Sequence, residues 1–210
     1  MPSVTRRSHG NRAKRRDEVR DRLLDVVQQL LAAGESYAEI SVERLVSEAK
    51  LSRSTFYVYF EDKGDLLRAW FTQVIEELED AAAGWWALDG AATYDDLRAA
   101  LAEIVHAYRP HTALMAALYD ISTYDVTARE EVGAMMGTNA AGLVRHIHRG
   151  QTEGWIDPEL AAKETALWLM WMSERGLHQM VRGADDAEAE LLITSYTDVI
   201  WHTLYAPARG

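Results

Sequence analysis

Ser52-Arg53-Ser54-Thr55-Phe56-Tyr57-Val58-Tyr59-Phe60-Glu61-Asp62-Lys63 follows directly on Leu45-Val46-Ser47-Glu48-Ala49-Lys50-Leu51, and the fold turns on this stretch. The spacing predicts a short helix, a turn and a second helix with two unlike faces. Phe56 and Phe60 stand at i and i+4 and share one buried stripe. Arg53 and Tyr57 form a second row, Thr55 and Tyr59 a third. Those rows put a cation, hydroxyls and aromatic rings on the side away from the core. A helix with one core face and one face of donors suits the major groove of DNA.

Working outward, Ser41 is expected to cap the first of these helices, with Val42, Leu45, Val46 and Ala49 facing inward, and Ser52 to cap the second. Only Lys50 and Leu51 separate them, a turn short enough to force a steep crossing. Upstream, Leu23, Val27, Leu30 and Leu31 recur at helical spacing between Asp17 and Ala33, and Gly34 closes that segment. Three helices within residues 17–62 make a compact DNA-binding head. Residues 1–16 lack periodicity and read as a flexible basic arm.

The remainder, residues 63–210, continues as helices. A long one runs from Asp62 or Lys63 to about Trp86, followed by segments at about 94–107, 111–121 and 126–150. Gly154-Trp155-Ile156-Asp157-Pro158 reads as a stop and a start, with Asp157 capping a helix over about 158–182 and Pro158 in its first turn. That helix is apolar nearly all round over Ala166-Leu167-Trp168-Leu169-Met170-Trp171-Met172, which predicts burial on more than one side. A last helix ends near Tyr205. No useful β-alternation occurs, so the chain is all-α with about nine helices.

Charge is distributed unevenly. The formal net charge is −11, which alone argues against nucleic acid. Residues 1–60, however, hold 11 Lys and Arg against 8 Asp and Glu, and the remainder holds 11 against 25. Arg6, Arg7, Arg12, Lys14, Arg15 and Arg16 give the densest basic run. A basic end attracts phosphates while an acidic body stays off DNA; a solvated tail is the plainer reading of the run. With no Cys, neither a disulfide nor a thiolate zinc site exists. No apolar run approaches the roughly 18 residues of a membrane span, and no secretory h-region follows the basic start. A cytoplasmic protein without cofactor is expected.

A second constellation is aromatic and Met-rich: Trp85, Trp86, Tyr108, Met115, Tyr119, Met135, Met136, Trp168, Trp171 and Met172. Rings and pliable Met side chains can line an adaptable apolar pocket, with Asn139, Ser173, Glu174, Arg175 and His178 available to orient a polar group. The alternative is a filled core plus an interface. The last two helices carry enough apolar surface for a four-helix bundle across a twofold axis, with Tyr196 and Trp201 as anchors. Enzyme readings fare poorly. His146 and His148 point to different helix faces, and neither a phosphate loop after a strand nor a nucleophile elbow is present.

Over residues 20–70, through Ile40-Ser41-Val42, Ala49-Lys50-Leu51-Ser52 and Thr55-Phe56-Tyr57-x-Tyr59-Phe60-x-x-Lys63, the sequence resembles the tetracycline-repressor (TetR) family of bacterial transcription regulators. Ser173-Glu174-Arg175 resembles the ethionamide-resistance-repressor branch. The resemblance implies that Arg53, Ser54 and Thr55 reach base edges and that Tyr57, Tyr59 and Lys63 hold phosphates. It implies also that Ser41 and Arg44 begin a helix set against the backbone. Lys50 departs from the family, which usually has Gly in that turn; a positive φ there costs Lys on the order of 1 kcal/mol, while its charge adds a cation near DNA. The implied function is a homodimeric repressor of double-stranded operator DNA. A small apolar effector releases it, held by Trp85, Trp86, Tyr108, Met115, Tyr119, Met136, Asn139, Trp168, Trp171, Met172 and Arg175. The alternatives are a regulator without an inducing ligand, or a helical ligand-binding or interaction module that has lost DNA binding.

Overall fold

The computed structural model describes residues 5–206, with side chains from Lys14 onward. Among the described residues there are nine α-helices and no strand: α1 (Thr5–Ala32), α2 (Val42–Glu48), α3 (Arg53–Tyr59), α4 (Lys63–Ala87), α5 (Tyr94–Tyr108), α6 (Thr112–Ser122), α7 (Val126–Glu153), α8 (Ala162–Gly176) and α9 (Asp186–Leu204). The chain divides into two compact units, Met1–Gln73 and Val74–Gly210. The division falls inside α4, so its first turns belong with the head rather than with the body.

In the first unit, α1 buries Leu23, Val27 and Leu30, α2 buries Leu45 and Val46, and α3 buries Phe56. Phe56 and Phe60 pack ring to ring at 5.6 Å. Arg22 donates to the Ala49 carbonyl at the end of α2 at 2.6 Å, tying that end to α1. The expected irregular arm is corrected in part: the chain is helical from Thr5. Arg, Lys and Ala are strong helix formers, and once the packed half of α1 forms, adding turns to it is cheap. Residues 1–4, and the side chains of Arg6, Arg7 and Arg12, lie outside what is described.

The second unit is built on a core of Trp85, Leu97, Leu101, Leu143, Ile147, Trp155, Ile156, Ala166, Leu169, Ile200, Leu204 and Tyr205. α5 starts with a capping box between Thr93 and Asp96, α9 with one between Asp185 and Glu188. Around Pro110 the chain passes from α5 to α6 through one 3-10 turn. α7 ends at Gly154 in the left-handed conformation, φ 82°, and the backbone N–H groups of Trp155 and Ile156 both turn back to the Gly150 carbonyl. Gly150 is required for that approach, since a Cβ there would lie 2.6 Å from Ile156 Cγ1 and 2.7 Å from the Trp155 ring.

The restart differs from expectation. α8 begins at Ala162, not Pro158. The Asp157 carboxylate accepts from the Glu159 N–H instead of capping a helix. The Gln151 amide donates to the carbonyls of Asp157 and Leu160 at 3.1 and 2.8 Å, holding this stretch as a turn. α8 is also shorter than expected and continues as a π-turn over Leu177–Val181. Nor is it buried all round. Ala162, Ala166, Leu169, Met170, Ser173 and Glu174 form its buried stripe, whereas Leu167, Trp168, Trp171 and Met172 are exposed, Trp168 at 78%.

Candidate functional site

The first candidate site is the α2–α3 surface. Both helices are capped as the sequence predicts: Ser41 Oγ accepts from the Arg44 N–H at 3.2 Å, and Ser52 Oγ from the Thr55 N–H at 3.0 Å. α2 ends in a Schellman arrangement, with Leu51 N–H donating to the Val46 carbonyl and Lys50 N–H to the Ser47 carbonyl. Lys50 supplies the left-handed residue, with φ 53°, the single positive φ among described non-glycine residues. The cost anticipated for Lys in place of Gly is therefore incurred, and its side chain is exposed at the turn.

α3 presents Arg53, Ser54, Tyr57 and Val58 to solvent, while Thr55 and Tyr59 are half-buried. Ser52 Oγ lies 2.8 Å from both Ser54 Oγ and Thr55 Oγ1, a hydroxyl cluster at the helix start. Arg53 pairs with Glu43 at 2.6 Å and lies over the Tyr57 ring, 5.8 Å from its centroid. Arg44 pairs with Glu48 at 3.0 Å. Glu43 was not anticipated from sequence; it becomes visible as a partner only when α2 and α3 cross. These exposed pairs are weak and leave both arginines able to exchange a carboxylate for a phosphate or a base edge.

Lys63 is the exception. Its ammonium donates to the carbonyls of Tyr37, Ala38 and Ile40 at 2.9, 2.6 and 3.0 Å, which uses all three of its protons. Burial pushes its pKa below the usual lysine value. The expected phosphate ligand is instead a staple holding the loop before α2 to the start of α4, with no donor left over.

The second candidate site is a cavity of about 100 Å³ in the second unit. Of the residues anticipated from sequence, Trp85, Trp86, Tyr108, Met115, Tyr119, Met135, Met136, Asn139, Ser173 and Glu174 line it together. Trp168 and Trp171 do not; they lie on the opposite, exposed face of α8. Met172 lines a separate shallow groove with Val105, Leu177, Leu192 and Val199. Arg175 points outward, over the Tyr119 ring at 5.8 Å. Sequence reasoning missed Leu78, Ala82, Ile104, Met170 and Leu177, whose aliphatic side chains carry no signal beyond ordinary core periodicity. Tyr196 was expected at an interface; it lines this cavity and donates to Ser173 Oγ at 2.7 Å. Trp201 packs within the subunit, stacked on Tyr205 and edge-on to Tyr94.

The lining is not uniformly apolar. Glu174 is buried in it, and Tyr108 and Tyr119 carry hydroxyls that complete no hydrogen bond. Burial first, and then Glu174, by its charge at Tyr108 and as acceptor and charge at Tyr119, push both phenols well above the usual tyrosine range. The Glu174 carboxylate acts on the Tyr119 hydroxyl as a nearby acceptor, although no hydrogen bond forms between them. Burial raises Tyr196 to about 12. His178, edge-on to Tyr119 at 4.7 Å, is lowered by burial. Behind the wall, Trp85 Nε1–H donates to Tyr205 Oη at 3.1 Å, and Tyr205 Oη meets His146 Nε2 at 2.7 Å. Among the described residues no group of acidic or imidazole side chains is arranged to hold a metal ion, and no helix is long and apolar enough to cross a membrane.

A compact three-helix head with a capped two-helix crossing and a donor-bearing α3 defines a helix-turn-helix protein. Residues 30–70 match the family model for bacterial regulatory proteins of the tetR family. The whole fold is similar to a TetR transcription regulator from Haloarcula marismortui, with TM-score 0.72 and 17% identity over 91% of this chain and 99% of that one. A transcriptional regulator from Saccharomonospora viridis, solved in complex with choline, matches with TM-score 0.68 and 20% identity over 90% and 98%. The ketosteroid regulator KstR2 of Mycobacterium tuberculosis matches with TM-score 0.64 and 13% identity over 89% and 94%. At these identities the likeness is one of fold. No curated protein matches the sequence significantly. Residues 30–70 thus carry a head of the tetR-family kind, and the chain as a whole shares the fold of TetR regulators. Nothing in these matches favours the ethionamide-resistance branch.

Proposed function

We propose that the chain is a homodimeric repressor that reads operator DNA through α3 and leaves it when a small molecule occupies the cavity bounded by Trp85, Tyr108, Tyr119 and Glu174. Arg53 reads bases, since a guanidinium bonds bidentately to guanine O6 and N7. Ser54 and Thr55 lie beside it, while Lys50, Arg44, Ser41, Tyr57 and Tyr59 hold the backbone. The observation that carries the reading is the exposed α3 face opposite buried Phe56 and Phe60, within the segment that matches the family model.

Two further observations support it. The S. viridis regulator of similar fold holds choline, in keeping with a fold that takes small effectors. On this chain α8 and α9 expose Leu167, Trp168, Trp171, Leu191 and Val199, apolar surface that a second copy would cover. A twofold dimer sets its recognition helices about 34 Å apart, one turn of DNA. α4 opens at the Lys63 staple and carries Leu78, Ala82, Trp85 and Trp86 of the cavity wall. A ligand that favours one placement of α4 shifts the population of DNA-competent molecules.

Gel-shift titration of the purified protein against the promoter of its own operon tests the reading. Specific binding at moderate salt that is reversed by a compound raising the melting temperature is expected. Binding indifferent to sequence would sink the operator reading, and tight specific binding with no responsive compound would sink the effector.

A further inference from the structure

Glu174 is a charge in the cavity wall that the fold does not neutralise well. At 9% exposure it is nine-tenths buried, and neither carboxylate oxygen accepts a hydrogen bond. Arg175 Nε stands 3.8 Å from Oε2, beyond hydrogen-bond distance, on a side chain that is 57% exposed. A buried carboxylate is unfavourable unless it is paired and hydrogen-bonded. The register of α8 nevertheless puts it here: Met170, Ser173, Glu174 and Leu177, at i, i+3, i+4 and i+7, all line the cavity.

The surfaces around it are aromatic. Trp85, Trp86, Tyr108 and Tyr119 line the same space, and the two indoles are nearly parallel, 16° apart with centroids at 4.8 Å. The negative faces of indole and phenol rings attract a cation. An anionic guest would meet Glu174 unfavourably, and a neutral hydrocarbon would leave the carboxylate with only Arg175 at 3.8 Å and the nearby Tyr119 hydroxyl. Positive charge is the guest property that satisfies both the carboxylate and the rings.

We propose that the effector is a compact organic cation, an amine or quaternary ammonium, with its charge against Glu174 and its apolar part along Met115, Met136 and Met170. This rests on the reading of the cavity as the effector site. It revises the apolar effector expected from sequence: Glu174 stood there only as one of several groups that could orient a polar part, and the structure buries it among the rings. The volume of about 100 Å³ favours a ligand near the size of a trimethylammonium head with a short tail.

Calorimetry on the full-length protein with two matched pairs tests it. Each pair replaces a quaternary nitrogen by carbon at nearly constant shape: choline against 3,3-dimethylbutan-1-ol, and benzyltrimethylammonium against neopentylbenzene. The cation of at least one pair is expected to bind tenfold or more tighter than its neutral isostere, and Glu174→Gln to abolish that preference. The comparison within each pair needs no variant, so misfolding of Glu174→Gln would not remove the test. A neutral isostere binding as well as its cation overturns the inference and leaves the cavity standing as an effector site. A cation preference that survives in folded Glu174→Gln overturns the role of the carboxylate. If none of the four binds, the inference falls; if in addition no compound of any class raises the melting temperature, the effector reading falls with it.

Discussion

Tyr37 and Lys63 clasp each other twice: the Tyr37 hydroxyl donates to the Lys63 carbonyl at 2.5 Å, and the Lys63 ammonium donates to the Tyr37 carbonyl at 2.9 Å. The ammonium also lies 5.4 Å from the centroid of the Tyr37 ring. The loop that leads into α2 and the first turn of α4 are thereby fixed to each other. Lys63→Met leaves three carbonyls without their charged donor, and charge-assisted hydrogen bonds contribute about 1.5–3 kcal/mol. A loss of that size in denaturant unfolding is expected. The slope of log affinity against log salt should stay the same, whereas loss of a phosphate contact would flatten it by about one. A flattened slope without lost stability would restore Lys63 to the DNA.

Lys63 also marks the limit of what the sequence could reveal. Phe56, Phe60, Ser41 and Ser52 were legible because each acts within a few residues of itself, through helical spacing or a cap. Lys50 was legible as an irregularity because a two-residue turn between helices demands a left-handed residue. The partners of Lys63 lie 23 to 26 residues upstream, and no local pattern announces a contact at that separation. The cavity shows the same division. Trp85, Trp86, Tyr108 and Tyr119 were legible as candidate lining from the abundance of rings, but a helix apolar nearly all round gives no local sign of which face turns inward, and Trp168 and Trp171 lie on the exposed one.

The Glu43–Arg53 pair makes a separate prediction. Each partner is 58% exposed, so the pair adds little stability, but Arg53 must leave Glu43 to meet DNA. Glu43→Gln removes that competition and a negative charge from the DNA-facing surface. Operator affinity should rise by roughly threefold to fivefold, equivalent to the upper part of the range for a surface pair, and the gain should shrink as salt screens it. Fluorescence anisotropy at two salt concentrations measures both. Weaker binding by Glu43→Gln would show that Glu43 instead holds Arg53 in its reading pose.

His146 gives the body a pH limit. Burial, with the nearby Arg149 charge adding to it, lowers its pKa from 6.5 to about 4. Trp85 donates to Tyr205 Oη, and the same hydroxyl meets Nε2 of a neutral His146. As pH falls below 6.5 the unfolded chain takes up a proton that the folded chain refuses until about 4. The stability contributed is therefore complete above pH 6.5 and is lost as pH falls toward 4, by on the order of 3 kcal/mol. Other groups titrate in the same range, so the readout is the difference between wild type and His146→Gln. That gap should be widest near neutrality and close by pH 4; a gap constant across the range would remove His146 as its cause.

The exposed face of α8 carries the most direct prediction about assembly. A tryptophan at 78% exposure and another at 48%, one turn of helix apart, leave much of their rings outside the packing of their own subunit. Replacing them should therefore leave monomer stability within about 0.5 kcal/mol. In an interface the same residues act differently, since buried tryptophans each cost about 2 kcal/mol or more on truncation. Trp168→Ser with Trp171→Ser should weaken dimerisation by a hundredfold or more, seen as a shift to monomer in sedimentation at micromolar concentration with the far-ultraviolet helix signal unchanged. Operator affinity should fall with it, because a monomer brings one recognition helix where the dimer brings two. A dimer that survives both substitutions would place the twofold axis elsewhere and leave these indoles for a different partner.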